Sequence, residues 1–451
     1  VLGLRDAVAL IVGVVIGAGI FKAPAMVAGM SDGPGWMFGA WVLGGIISLI
    51  GALCYAELTT AYANAGGDYH FLHRAYGRSV AFLFGWARFA VITTGSIALL
   101  AFVFGDYMQQ AVPLSFLPAG WGSIAYACAV IVLLSLLNVA GIRGGAFAQN
   151  WLTLAEVAGL LLIAAAALVA DPAPAPQAPA GNGSASFGLA MVFVLLTYGG
   201  WNEAAYISAE VRDGPRNMVR ALTLSVLIIT GLYLLVTWGY FRTLGMQGMA
   251  ASEALAADVM GRAFGTPGQK AIAVLVAISA VTSINATMIV GARTGYALGC
   301  DWQVLGRLGR WNGERGTPDF AMLVQCIAAL LLVALGGAVG SGFKAMVEFT
   351  APVFWLFFLL TGISLFVLRR REPARPRPFK VPLFPLLPLL FCASCAYMLW
   401  SSLSYVYRQS LGGLNAAWIG VAVLAFGVLL LLLLRRSADK VKPSAMSTKS
   451  R

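Results

Sequence analysis

Two short glycine-bearing stretches hold the residues best placed to do chemistry. The first is VVIGAGIFKAP, residues 14–24, with Gly13 just upstream, Gly17 and Gly19 two apart, then Lys22 and Pro24. The second is TYGGWNEA, residues 197–204, where Gly199 and Gly200 are followed directly by Asn202 and Glu203. Each lies within an apolar run, and glycine costs about 1 kcal/mol against alanine inside a helix. A helix interrupted there ends one half and starts another. The new N-terminus offers free N–H groups and a positive dipole end, which suit a carboxylate. Unwound carbonyls and the other half's C-terminus suit an ammonium group. Ala18, Gly19 and Ile20 are positioned to supply N–H groups beside Gly17, and Val15, Ile16, Leu196 and Gly199 to supply carbonyls. Such a pair of breaks can hold a small zwitterion by backbone alone, without a costly buried Lys or Asp.

A second group of residues could move or balance charge. Glu156 stands inside an apolar run, and a carboxylate there is a functional candidate by default. Three readings are open for it: a proton carrier, a sodium ligand, or a packing pair with Arg88, which lies at a similar depth. Ser279, Thr282 and Ser283 could add oxygens for sodium, although hydroxyls on such a helix commonly bond their own backbone. Glu203, next to the second break, is a further coupling candidate. Glu57 and Glu210 stand near arginine clusters and read as acids that pin loops. His70 and His73 fall in a polar segment, 63–81, and read as solvated residues of a loop or short interfacial helix. Cys392 and Cys395 form a CxxC that reads as two small apolar residues on one helix face. With both histidines outside the apolar runs and no acid cluster within them, a membrane-embedded enzyme is disfavoured. A channel is disfavoured too, since no filter loop or ring of charge is visible. No cofactor or metal is called for.

The elements that must position these residues follow from composition. The 451-residue chain is 60% hydrophobic and 11% charged, against about 25% charged in a soluble domain. Twelve apolar runs, near 6–30, 36–62, 82–109, 121–140, 150–170, 188–211, 221–241, 268–297, 319–338, 346–368, 382–405 and 414–434, are each long enough for a membrane helix. Alternating strands of a membrane barrel are absent. The expectation is an all-α polytopic membrane protein with about twelve transmembrane helices. No cleavable leader is expected, because the first run is too long. With the N-terminus inside, 23 of the 30 Lys and Arg fall on the inner side. Six fall outside: Lys22, Arg242, Arg262, Lys270, Lys344 and Arg408. Both termini are therefore expected to be cytoplasmic. The net charge of +12 reads as this inner collar against anionic lipid, not as a nucleic-acid surface.

The chain divides at 171–187, a flexible Pro/Ala/Gly loop expected outside, which also carries a glycosylation-type match at Asn182–Ser184. Residues 1–170 hold five spans and 188–368 five more. Residues 369–434 add two peripheral spans, with a Pro-rich basic linker leading in, and 435–451 form a basic tail. An odd span number makes the second group enter from the opposite side. The first span of each group then carries a break at mid-membrane, the pattern of an inverted repeat around a binding site.

The segments GVVIGAGIF (13–21), GALCYAEL (51–58), TYGGWNEA (197–204), EVRDGPRNMVRA (210–221), SINATMIVGARTGYAL (283–298) and RPFKVPLFPLLPLL (377–390) resemble amino acid permeases of the amino acid–polyamine–organocation superfamily. They are most similar to its L-type amino acid transporter branch. The resemblance covers nearly the whole chain. It implies a leucine-transporter-type 5+5 inverted repeat with spans one and six broken, and alternating-access transport of an amino acid, neutral by preference, as exchanger or proton-linked symporter. Cationic amino acids or polyamines are the alternative substrates. It also implies that Trp201 and Asn202 shape the pocket or gate beside Gly200, and that Tyr198 packs behind it. Three positions depart from the family pattern. Ala18 stands where Ser is frequent, Leu196 where an aromatic gate is frequent, and Glu156 where many members carry Lys. Animal relatives bind a partner subunit through a cysteine between spans three and four. The segment 110–120 has none, so no disulfide-linked subunit is expected. The expected location is a bacterial inner membrane.

Overall fold

The computed structural model describes residues 3–64, 67–140, 146–173, 187–203, 214–302, 305–313, 316–340, 342–409 and 416–440. Glu210, the Asn182–Ser184 match and the tail beyond 440 lie outside the described residues.

The chain is helical almost throughout. The first apolar run becomes α1 (Leu4–Val15), a tight 3-10 turn (Ala18–Phe21) and α2 (Ala23–Gly29). There follow α3 (Pro34–Ala61), α4 (Gly67–Tyr76) and α5 (Arg78–Ala87). A π-helical stretch (Arg88–Thr93) joins α5 to α6 (Thr94–Ala111), and α7 (Trp121–Val139) and α8 (Ala146–Val169) complete the first half. The second half opens with α9 (Phe187–Thr197) and a 3-10 turn (Trp201–Glu203). Then come α10 (Gly214–Ala251), α11 (Leu255–Asp301), α12 (Asp319–Val339), α13 (Gly342–Arg371), α14 (Leu386–Gln409) and α15 (Ala416–Lys440). Gly245 and Gly265, with φ of +68° and +67°, bend α10 and α11 and separate their spanning parts from the segment between them.

Among the described residues, nine helical stretches are long and apolar enough to cross a membrane. The first, fifth and sixth of the twelve expected runs are not among the nine. Two of these are the interrupted runs, and the described apolar part of α8 is Leu154–Val169. The polar segment 63–81 holds the helix α4, which carries both histidines.

Small residues let the helices close around the two interrupted runs. A Cβ on Gly44 of α3 would lie 2.4 Å from Val194 of α9, and one on Gly45 2.6 Å from Thr230 of α10. Both are far inside contact distance, so α3 approaches these helices as only glycine allows.

One acid ties the basic linker to the bundle. Glu57, at the end of α3, is 1% exposed. Its oxygens accept from Arg369 at 2.7 and 2.5 Å and from the Val381 amide at 2.7 Å, and Arg377 stands 3.5 Å away. It pins α13 and the segment after it to α3, as the charge pattern implies. Truncating one member of a buried pair strands the others and costs about 3 kcal/mol or more. A Glu57→Ala variant should therefore melt well below the parent in a detergent unfolding assay, and Glu57→Gln should melt between the two.

Candidate functional site

Local hydrogen bonding shows why the first run breaks. Ile16 N still reaches back to Val12 O at 2.8 Å, the last regular bond of α1. Gly17 N instead folds onto Val15 O at 2.7 Å, and Gly17 is extended (φ −104°, ψ −171°). The 3-10 turn begins at Ala18, so the Ala18 and Gly19 amides precede its first i→i+3 bond. By the same rule, that first bond falls to Ile20, which the sequence had assigned as a free donor. Pro24 then sits in the first turn of α2, where it lacks only an amide that would have no helical partner.

The second break is built differently. Tyr198 N bonds Val194 O at 3.0 Å, and Gly199 N turns back to Leu196 O at 3.1 Å. Gly200 takes φ +109°, a region L-residues avoid. Asn202 Oδ1 accepts from the Gly200 amide at 3.3 Å, and Glu203 N from the new turn reaches Gly200 O at 3.0 Å.

The breaks cross. A Cβ on Gly200 would stand 3.2 Å from Val14 O and 3.3 Å from Val15 Cα; one on Gly19 would stand 3.4 Å from Thr197 Cγ2. The residues before the first break thus meet the residue after the second, and the reverse, as in two antiparallel strands of chain. Between them lies a group not anticipated from sequence. The hydroxyl of Tyr233 on α10 is 2.9 Å from Val15 O and 3.1 Å from Thr197 O, and its side chain is fully buried. One phenolic proton serves the C-terminal carbonyls of both half-helices. Tyr198 packs on Tyr233 with ring centroids 5.1 Å apart and donates to Trp41 O at 3.0 Å. Trp201 is buried with its ring edge-on to Tyr55 and Phe358, and Leu196 is half-buried in the last turn of α9.

The charged candidates do not pair as one reading had them. Arg88 does not hold Glu156. Its guanidinium lies 3.0 Å from both carboxylate oxygens of Glu203, tying the π-helical stretch to the second break. The wider π turn carries Arg88 at its first residue, a backbone feature that hydropathy does not reveal. Glu156, 4% exposed on α8, instead accepts from the hydroxyl of Ser279 on α11. Thr282 donates to Ser279 O at 2.8 Å, bonding its own helix, and Ser283 is half-buried beside it. Lys22, counted among the outer charges, is buried at 3% exposure against Asp106 and Glu253.

Asp68, in the first turn of α4 and outside the spans, belongs with the Arg88–Glu203 pair. It is 3% exposed, and its Oδ1 has no hydrogen-bond partner among the described residues. Burial pushes its carboxyl up to about 6. Tyr55, Arg88 and Asn202 pull the other way, and Glu203 adds to the rise.

These features define a class: a multi-pass helical membrane protein whose first and sixth runs are interrupted and cross at their breaks. The comparisons narrow it. A family model described as amino acid permease matches residues 2–433, so the chain belongs to the amino acid permease family. It is 30% identical over 397 residues to a human b(0,+)-type amino acid transporter 1, covering 84% of this chain and 78% of that one. It is 29% identical over 418 residues to the mouse large neutral amino acids transporter small subunit 2, covering 89% and 76%.

The Asp68 geometry yields a pH dependence. Its folded value lies above the ordinary 3.8 of an aspartate. The folded protein therefore holds this proton more tightly than the unfolded chain. That stabilisation is complete below the ordinary value and fades as pH rises through about 6. The full effect is about 3 kcal/mol. Between pH 5 and 7 the parent should lose melting temperature, and Asp68→Asn should remove that part of the slope, as read by thermal unfolding in detergent at a series of pH values.

Proposed function

We propose that the protein carries neutral amino acids across a bacterial inner membrane by alternating access, as an exchanger or a proton-linked symporter. The observation that carries this reading is the crossing of the two interrupted runs, in a chain that belongs to the amino acid permease family. The substrate carboxylate goes to the Ala18 and Gly19 amides at the start of the 3-10 turn. The ammonium goes to Ile16 O and Gly199 O, because Val15 O and Leu196 O already accept bonds from Gly17 and Gly199. The antiparallel crossing supports the 5+5 inverted repeat, with α14 and α15 peripheral to it. The two termini face the cytoplasm in this reading, on the arginine-rich side. The protein works without a disulfide-linked subunit and without catalysis.

Preference for a neutral side chain rests on how the acids near the breaks are engaged. A cationic amino acid or polyamine would need a carboxylate free to meet it. Glu203 is neutralised by Arg88, and Glu156 accepts from Ser279. The name of the mouse relative, a transporter of large neutral amino acids, points the same way.

Coupling is assigned to Glu156 as a proton site, with sodium at Ser279, Thr282 and Ser283 as the lesser alternative. In proteoliposomes loaded with unlabelled amino acid, labelled amino acid should accumulate by counterflow. Ion current without counterflow would instead mark a channel. A proton gradient should accelerate net uptake in the parent, and Glu156→Gln should abolish that acceleration while leaving sodium-independent exchange. Full proton dependence in Glu156→Gln would remove Glu156 from the coupling step.

A further inference from the structure

Lys22 follows the first 3-10 turn directly, and the backbone chemistry of the breaks makes no use of it. Its ammonium has three contacts of 2.7 Å: Asp106 Oδ2 on α6, Glu253 Oε2 and Glu253 O. An ammonium has three protons, so this one is filled. The far oxygen of Asp106 accepts from Ser123 of α7 at 2.5 Å. One residue on, Tyr107 donates to Phe21 O at 2.9 Å and accepts from the Ala256 amide at 3.2 Å. The chain just past the first break is thus bound to α6 on one side. On the other it is bound to the segment joining α10 to α11.

The two carboxylates differ. The side chain of Asp106 is 16% exposed and that of Glu253 is 77% exposed. An ion pair at the water's edge is weak and easily exchanged for water, whereas breaking a buried one strands a charge. If Asp106 were absent, releasing Glu253 would leave a bare buried ammonium. With Asp106 in place, Lys22 can lose Glu253 and stay neutralised.

We propose that Lys22 is a positioning residue of the transport cycle. Its bonds to Glu253 latch the α10–α11 segment over the first break, on the face opposite the arginine-rich one. That face opens when Glu253 lets go and Asp106 keeps the ammonium. The proposal rests on the transporter reading, and its test separates the two.

The test variant is Glu253→Gln, which removes the charge and keeps the shape. The first readout needs no transport. A reporter cysteine, Ala256→Cys, lies at a position with 0% exposure under the latch. In sealed membranes, a membrane-impermeant maleimide added from that face should label the reporter about five-fold more in the Glu253→Gln background, the population shift one exposed ion pair carries. Protein without the reporter supplies the baseline for its six native thiols. The second readout is sided kinetics. In Glu253→Gln, KM on the latched face should fall and KM on the arginine-rich face should rise. Damage that is only structural would lower the maximal rate without opposite KM shifts.

Unchanged labelling, or KM values moving together, overturns the latch. Absence of any transport with labelling still raised overturns the transporter reading and leaves the latch. Lys22→Met alone strands Asp106 and should lower the yield of folded protein. Lys22→Met with Asp106→Asn should recover that yield and keep the reporter labelled. A double variant that folds but shields the reporter also overturns the proposal.

Discussion

A backbone amide or carbonyl left unpaired inside a bilayer costs several kcal/mol, which is why membrane-spanning chain is almost always continuous helix. This protein interrupts two of its runs at one place, and the structure answers that constraint before it does anything else. The C-terminal carbonyls of the two half-helices share the Tyr233 hydroxyl. Gly17 and Gly199 each fold an amide back onto the chain behind them. Gly200 adopts a positive φ that lets the second break press against Val14 and Val15. The neighbours are shaped around this: α3 offers Gly44 to Val194 and Gly45 to Thr230, so α9 and α10 can close in. What the 3-10 turn itself leaves unpaired at its start is small in extent, the Ala18 and Gly19 amides.

The buried charges follow from the same constraint. Lys22 is held by Asp106 and Glu253, Arg88 by Glu203, and Glu57 by Arg369 and Arg377. Each pairing joins elements far apart in sequence. The first ties the chain past one break to its surroundings, and the second does the same for the other break. Attractions of this kind contribute little net stability after desolvation, but they are specific and they can be exchanged. A packed apolar contact would hold the breaks as firmly and would offer no cheap alternative arrangement.

Much of this was legible in the sequence. Nine of the twelve runs as long apolar helices, the two breaks and the loop-pinning role of Glu57 follow from hydropathy, glycine spacing and the distribution of arginines. These are local properties or properties of composition. The family likeness was carried by motifs spread over the whole chain. Which carbonyls at the breaks are free was not legible: Val15 O and Leu196 O were named as available, and each accepts a backbone amide. Partners across the bundle were not legible. Arg88 was set against Glu156 on depth alone, because a linear sequence gives depth but not the angle around a helix. The π turn at Arg88–Thr93 changes that angle, and nothing in RFAVIT announces it. Tyr233 lies 36 residues beyond Thr197 and looks like any aromatic in an apolar run. Lys22 was counted with the outer charges although it stands inside the first run, 6–30. The Asp106 that buries it stands 84 residues away.

The acid at position 156 has a chemistry that a lysine there would lack. A lysine between α8 and α11 can only donate hydrogen bonds and carries its charge as a fixed tether. A carboxyl group has two forms with opposite hydrogen-bonding habits: ionised it only accepts, and protonated it can donate. Ser279 can satisfy either form by rotating its hydroxyl, so the α8–α11 contact survives both while the charge between the helices changes by one. Tyr233 holds the ends of both half-helices, and its helix α10 packs on α8, which carries Glu156. In the proposed cycle, a proton taken up at Glu156 changes the charge beside the helix that carries this hydroxyl. That would make a short physical route from the proposed coupling site to the proposed substrate site, through neighbouring helices.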